Sequence, residues 1–215
     1  ADRIMINSME GASNAAIYSL AYTLSLIMTI ISNAINQSLI PYIYKKIKAN
    51  MYESIASIVN FSCIVVAVMN LVIMFLGPEL IAFFGTKEYI EAKWVIPPVS
   101  ASVFFIFLYQ MFSVIQMYWG KTNTMVMSSV GVAVLNIVLN YFGIKYFGFI
   151  AAGYTTLVSY MILTVTYYIQ YSKVVSKNME RRKVYDIKIM SGISILVLGS
   201  VLVTLTLYNL PDVIR

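Results

Sequence analysis

Apolar positions along this chain gather into runs close to twenty residues long, separated by short polar stretches, and they do not alternate residue by residue as barrel strands would. A helix rising ~1.5 Å per residue crosses a ~30 Å hydrocarbon core with about twenty residues. The runs therefore predict six membrane-crossing helices, at 15–40, 55–77, 95–119, 125–142, 150–171 and 187–208. The predicted fold class is all-α, a polytopic transmembrane helical bundle.

Polar residues inside four of these runs recur at helical spacing. In the first, Asn14, Tyr18, Ser25, Thr29, Ser32 and Asn36 fall three, four or seven apart, which keeps them in one narrow sector of a helix. Leu20, Leu24, Ile27 and Ile31 occupy the other side. The third run repeats the device with Ser102, Tyr109, Ser113 and Gln116, the fourth with Ser129, Asn136 and Asn140, and the fifth with Thr155, Ser159, Thr166 and Gln170. Polarity in the second run (Asn60, Asn70) and the sixth (Ser191, Ser194, Ser200, Thr204) is scattered, which sets those two helices farther from any aqueous space.

Two readings of the seams stand side by side. Hydroxyls and amides bond between packed membrane helices, and they also wall water-filled cavities. An amide brings more polar surface than hydrocarbon can satisfy, so Asn33, Asn36, Gln37, Gln110, Gln116, Asn136 and Asn140 weigh more toward a cavity than the hydroxyls do.

Composition agrees with the pattern. Hydrophobic residues make up 60% of the 215 and charged residues 11%; mean hydropathy is +0.80. With one cysteine, Cys63, and no histidine, the chain holds neither an internal disulfide, nor the usual zinc ligands, nor a histidine-activated nucleophile. No metal or cofactor is expected, and composition leaves open enzymes that use carboxylates or a lone lysine.

The basic residues sort by alternate connections. Lys45, Lys46, Lys48, Lys121, Lys173, Lys177, Arg181, Arg182, Lys183 and Lys188 fall on one side; Arg3, Lys87, Lys93, Lys145 and Arg215 fall on the other. Ten against five places the first set in the cytoplasm and predicts a multi-pass protein of the cytoplasmic, or inner, membrane. The net charge of +6 resides largely in those loops and calls for no nucleic acid. Pro41 is expected to end the first helix, Pro78 to end the second, and the pair Pro97 and Pro98 to stand in the first turn of the third, with a hinge there as the alternative. Trp94 and Trp119 bracket that third run as interfacial tryptophans do, and "LIAFF" reads as a segment lying flat at the outer interface. Starting without methionine and stopping at "LYNLPDVIR", the chain reads as an internal piece of a longer protein.

The stretches "DRIMI", "AAIYSLAYTL", "AINQSLIPYIYKKIK", "PELIAFFGTKEYIEAKW" and "VLNIVLNYFGIKYFGFIAAGYTTLVSY" together resemble the oligosaccharide flippases of polysaccharide biosynthesis, a branch of the multidrug/oligosaccharidyl-lipid/polysaccharide exporter superfamily. Such flippases serve O-antigen or capsule synthesis. The resemblance covers Asp2 to about Val175. It implies two six-helix lobes around a central cavity, which move a polyprenyl-pyrophosphate-linked oligosaccharide across the cytoplasmic membrane. Residues 1–175 would form the second lobe, from the end of its first helix onward; residues 176–215 would supply a basic cytoplasmic loop and one additional helix. Implied partners are the lipid-linked oligosaccharide, the lipid bilayer, the missing first lobe of the same chain and polysaccharide polymerase machinery.

By the same resemblance "DRIMI" closes the seventh helix and holds Asp2 and Arg3 at its outer end. Arg3 is expected to attract the pyrophosphate, and Asp2 to orient its neighbours or answer to a coupling cation; an interfacial charge pair is the alternative. The substrate-cavity candidates are Asp2, Arg3, Tyr18, Ser25, Thr29, Ser32, Asn36, Tyr109, Ser113, Gln116, Asn136 and Asn140. The competing functions are a cation-coupled multidrug exporter of the same superfamily, in which stripes such as Tyr18, Tyr22, Tyr109 and Tyr118 would serve equally, and a membrane-embedded polysaccharide polymerase or ligase. Short outer loops and the absence of histidine weigh against the polymerase.

Overall fold

The computed structural model describes residues 1–84, 87–179 and 183–209. Arg181, Arg182 and Arg215, counted in the charge pattern, lie outside the described residues. Among those described there is no strand. Eight α-helices follow in order: α1 (Asp2–Glu10), α2 (Ala12–Lys48), α3 (Tyr52–Phe75), α4 (Gly77–Phe84), then a 3₁₀ segment (Lys87–Trp94), α5 (Ile96–Tyr118), α6 (Thr122–Phe147), α7 (Ala151–Asn178) and α8 (Ile187–Tyr208).

Five of them, α2, α3, α5, α6 and α8, are long and apolar enough to cross a membrane. The sixth expected crossing, at 150–171, is the 28-residue α7. It is long enough, but the polar residues it turns inward keep its composition less apolar than that of the other five. Its hydroxyls find acceptors within the protein: Thr164 donates to the Phe105 carbonyl at 3.0 Å, and Ser159 to its own helix at Thr155 (2.7 Å).

The expected stop at Pro41 does not occur. α2 runs through it to Lys48, and its 37 residues span roughly 55 Å, well beyond a ~30 Å hydrocarbon core. Pro41 therefore falls near the lysine-bearing turns, where a freed carbonyl has polar surroundings. Pro78 likewise stands in the first turn of α4 rather than at the end of α3, which closes at Phe75. Pro97 and Pro98 do stand at the start of α5, where missing backbone donors cost least.

α5 is the centre of the bundle. It packs against α2, α3, α7 and α8, and Phe104, Phe107, Met111 and Ile115 are fully enclosed. α6 lies at the edge, against α7 and α1, and Val126, Met127, Val130 and Val134 are exposed along it.

Two glycines shape the end opposite the lysines. Gly11, at φ 94, breaks α1 from α2 and folds them into an antiparallel pair; Gly148, at φ 79, ends α6 and starts the turn into α7. L-residues with a side chain rarely adopt either conformation. The two turns are tied together by Glu10, whose Oε2 accepts from the Phe149 backbone N–H at 3.1 Å and from Asn14 at 2.9 Å.

At the lysine-rich end Tyr185, in the connection before α8, is buried and donates to the Met111 carbonyl at 2.9 Å while stacking on Tyr171 at 5.2 Å between centroids. Burial pushes its phenol well above the ordinary tyrosine range, with the Tyr171 phenol adding to the effect. Tyr185 is thus neutral in the folded protein, and its contribution is fully present below about pH 10, where the unfolded chain's phenol is also neutral. Stability should fall as pH rises past ~10, because the unfolded state then ionises first. Tyr185→Phe should remove this residue's share of that alkaline slope and lower stability at neutral pH by about 1 kcal/mol, the worth of one hydrogen bond; denaturation of the purified chain from pH 7 to 11 measures both.

Candidate functional site

A cavity of about 620 Å³ opens between α1, α2, α5, α6 and α7. Its wall includes Asp2, Arg3, Tyr22, Tyr109, Ser129, Asn136, Thr156, Ser159 and Tyr160. Neither α3 nor α8, the helices with scattered polarity, contributes to it.

Asp2 and Arg3 do not sit at the outer end of a helix. "DRIMI" opens α1, which closes at Glu10. At ~1.5 Å per residue Asp2 lies roughly 13 Å from the Gly11 turn, and Tyr18 roughly 10 Å from it along α2. Both therefore stand well inside the bundle, level with Asn140 and Thr156.

At that depth the Asp2 carboxylate is held from three helices. Tyr18 of α2 donates to Oδ2 at 2.9 Å, Thr156 of α7 to the same oxygen at 2.9 Å, and Asn140 of α6 to Oδ1 at 2.8 Å. Tyr18 and Asn140 are completely buried. Asn140 extends the network: it donates to Asn136 Oδ1 at 3.2 Å and accepts from the Thr155 hydroxyl, while Asn136 donates to Ser159 at 3.2 Å. All the donors are neutral, so the negative charge is solvated by hydrogen bonds without being cancelled. Arg3 points elsewhere, with its guanidinium over the Tyr22 ring at 4.8 Å. The adjacent charges thus find different partners, as neighbouring positions on a helix must.

The aromatic wall is equally ordered. Tyr109 and Tyr160 lie parallel, 6.2 Å apart and 4° from coplanar orientation; Tyr167 meets Tyr109 edge-on at 5.3 Å and shares a 2.8 Å hydrogen bond with Ser129.

The remaining candidates are placed between helices. Ser25 bonds Ser100 at 3.3 Å and, with Thr29, lines a void of about 20 Å³ beside Thr156 and Tyr160, large enough for one water. Ser32 is buried on the same face of α2. Asn36 donates to Gln110 at 2.8 Å, and Gln110 donates to Asn33 at 2.9 Å, an amide clasp joining α2 to α5. Ser113 donates to the Gln110 carbonyl at 2.7 Å. Gln116 is fully buried between α5 and α7, reaching the Tyr167 carbonyl at 3.3 Å. Of the twelve candidates, Asp2, Arg3, Tyr109 and Asn136 face the cavity, Tyr18 and Asn140 support it through Asp2, and the other six lie in helix contacts or the small void.

Sequence reasoning omitted Tyr22, Ser129, Thr156, Ser159 and Tyr160 from the site. Ser159 belonged to a recognised seam and Tyr22 to an aromatic stripe, so both carried a signal. Thr156 carried none, because its neighbour Thr155 fits the seam's spacing better.

An all-helical bundle of this length, with apolar helices outside and a polar cavity among them, defines a multi-pass membrane protein. The MatE family model matches residues 1–142, about two thirds of the chain, and the chain belongs to that family, whose members are transporters of the multidrug/oligosaccharidyl-lipid/polysaccharide exporter superfamily. No curated protein matches the chain, and no solved structure does.

Proposed function

We propose that this chain is the second lobe of a flippase that carries polyprenyl-pyrophosphate-linked oligosaccharides across the cytoplasmic membrane by alternating access, for cell-surface polysaccharide synthesis. The observation that carries the reading is the division of labour between Asp2 and Arg3. Asp2 is engaged by donors from α2, α6 and α7, whereas Arg3 rests on an aromatic ring at the cavity wall, from which its fork can turn to a pyrophosphate. Hydroxyls and amides of Ser129, Asn136 and Ser159 suit the sugar, while the prenyl chain stays in lipid. Asp2, with three neutral donors fixing it, is the group placed to answer a coupling cation. The first lobe would complete the cavity, and polymerase machinery would receive the product.

Deleting the full-length gene tests the reading: lipid-linked repeat units should accumulate on the cytoplasmic leaflet. If they still reach the outer face while efflux of an aromatic cationic drug is lost, the multidrug exporter takes its place. The aromatic wall of Tyr22, Tyr109 and Tyr160 favours that second reading, since flat cations stack on tyrosine.

A further inference from the structure

The outward side of α7 changes character once along its length. Val158, Ile162, Val165 and Ile169, spaced four, three and four residues apart, are all exposed and form one apolar stripe. One turn further on, the stripe gives way to the exposed Lys173 and Lys177. The stripe is roughly 16 Å long, close to the half of a ~30 Å hydrocarbon core that one leaflet supplies. Lys173 lies roughly 33 Å from the start of α7, about the thickness of a hydrocarbon core along the helix. At this boundary Tyr168, Ile169, Ser172, Lys173, Ser176 and Lys177 line a shallow, open depression on the surface, apart from the cavity described above.

The surface therefore has the outline of one lipid: an apolar track of a single leaflet's depth, then two cations a helical turn apart beside hydroxyls. We propose that this end of α7 binds an anionic phospholipid of the leaflet on the lysine-rich side. Its phosphodiester would lie between Lys173 and Lys177, and one acyl chain along Ile169, Val165 and Ile162. Charge complementarity selects the anionic lipid, because an uncharged or zwitterionic headgroup gains little from two neighbouring ammonium groups. Tyr168, its ring packed against Phe112 at 5.6 Å, offers the amphipathic edge that suits headgroup depth. Favourable placement of Lys177 at a helix C-terminus would by itself stabilise the helix whatever the lipid, so the test must read lipid identity.

The full chain is purified in mild detergent and titrated with phosphatidylglycerol, and separately with phosphatidylcholine, with bound lipid counted by native mass spectrometry. Each lysine near an anionic surface is worth roughly a factor of five in binding. Lys173→Gln together with Lys177→Gln should weaken phosphatidylglycerol binding about tenfold or more and leave phosphatidylcholine binding unchanged. Lys173→Arg with Lys177→Arg should restore it, and circular dichroism should show equal helix content in all variants. Equal phosphatidylglycerol binding by the glutamine variant would overturn the proposal. So would displacement of the lipid by glycerol phosphate at similar concentration, which would mark a soluble-phosphate site, or protection of both lysines from modification in lipid-free protein, which would mean that protein covers the surface.

Discussion

Asp2→Asn is expected to abolish most transport while the protein still reaches the membrane. The carboxylate accepts from Tyr18, Thr156 and Asn140, and an amide of the same shape offers one acceptor oxygen and turns an N–H₂ toward the other donors. Losing one charged hydrogen bond removes ~1.5–3 kcal/mol, a factor of roughly 10 to 100 in the population of the arranged cavity. Tyr18→Phe removes one donor and leaves the charge, so its effect should be several-fold smaller. Transport by the purified full-length protein in vesicles, with thermal unfolding measured in parallel, separates loss of arrangement from loss of fold. Normal transport by Asp2→Asn would show that the charge has no part in the cycle.

The second large effect is expected at Arg3. Arg3→Gln keeps a polar group of similar reach but removes the fork and the charge, and a charged hydrogen bond from that fork to a pyrophosphate is worth ~1.5–3 kcal/mol. Export of the lipid-linked sugar should fall about tenfold or more, chiefly through a higher KM. Arg3→Lys should fall between, since the charge remains without the planar fork. Tyr22→Leu should weaken export as well, by a smaller factor than Arg3→Gln, because the ring holds the guanidinium ready through an attraction of ~0.5–2 kcal/mol. Unaltered export in Arg3→Gln, at normal protein level, would remove the pyrophosphate role.

The helices were legible because membrane crossing demands long uninterrupted apolar runs, and the elements found keep close to those runs. Their ends were less legible. Pro41 reads as a stop by local chemistry, yet α2 is long enough for Pro41 to fall near the polar edge and the helix to continue. The cavity was legible in part for a similar reason. A seam at helical spacing tells which residues share a face, but not which helix that face meets. Asn36 and Asn136 look alike in sequence. One meets Gln110 across a tight helix contact, while the other lines the cavity beside Asp2 and Ser159. Asp2 was misplaced because nothing in "DRIMI" marks where its helix ends; Gly11, nine positions later, decides it.

Glu10 carries a mechanical consequence. α1 is pinned at its inner end by Asp2 to α6 and α7 and at its far end by Glu10 to the first residues after Gly148. Two fastenings on one helix remove its freedom to pivot independently. Because Asp2 and Glu10 also hold α1 to α2, through Tyr18 and Asn14, any swing that reshapes the cavity must carry these four segments as a single stave.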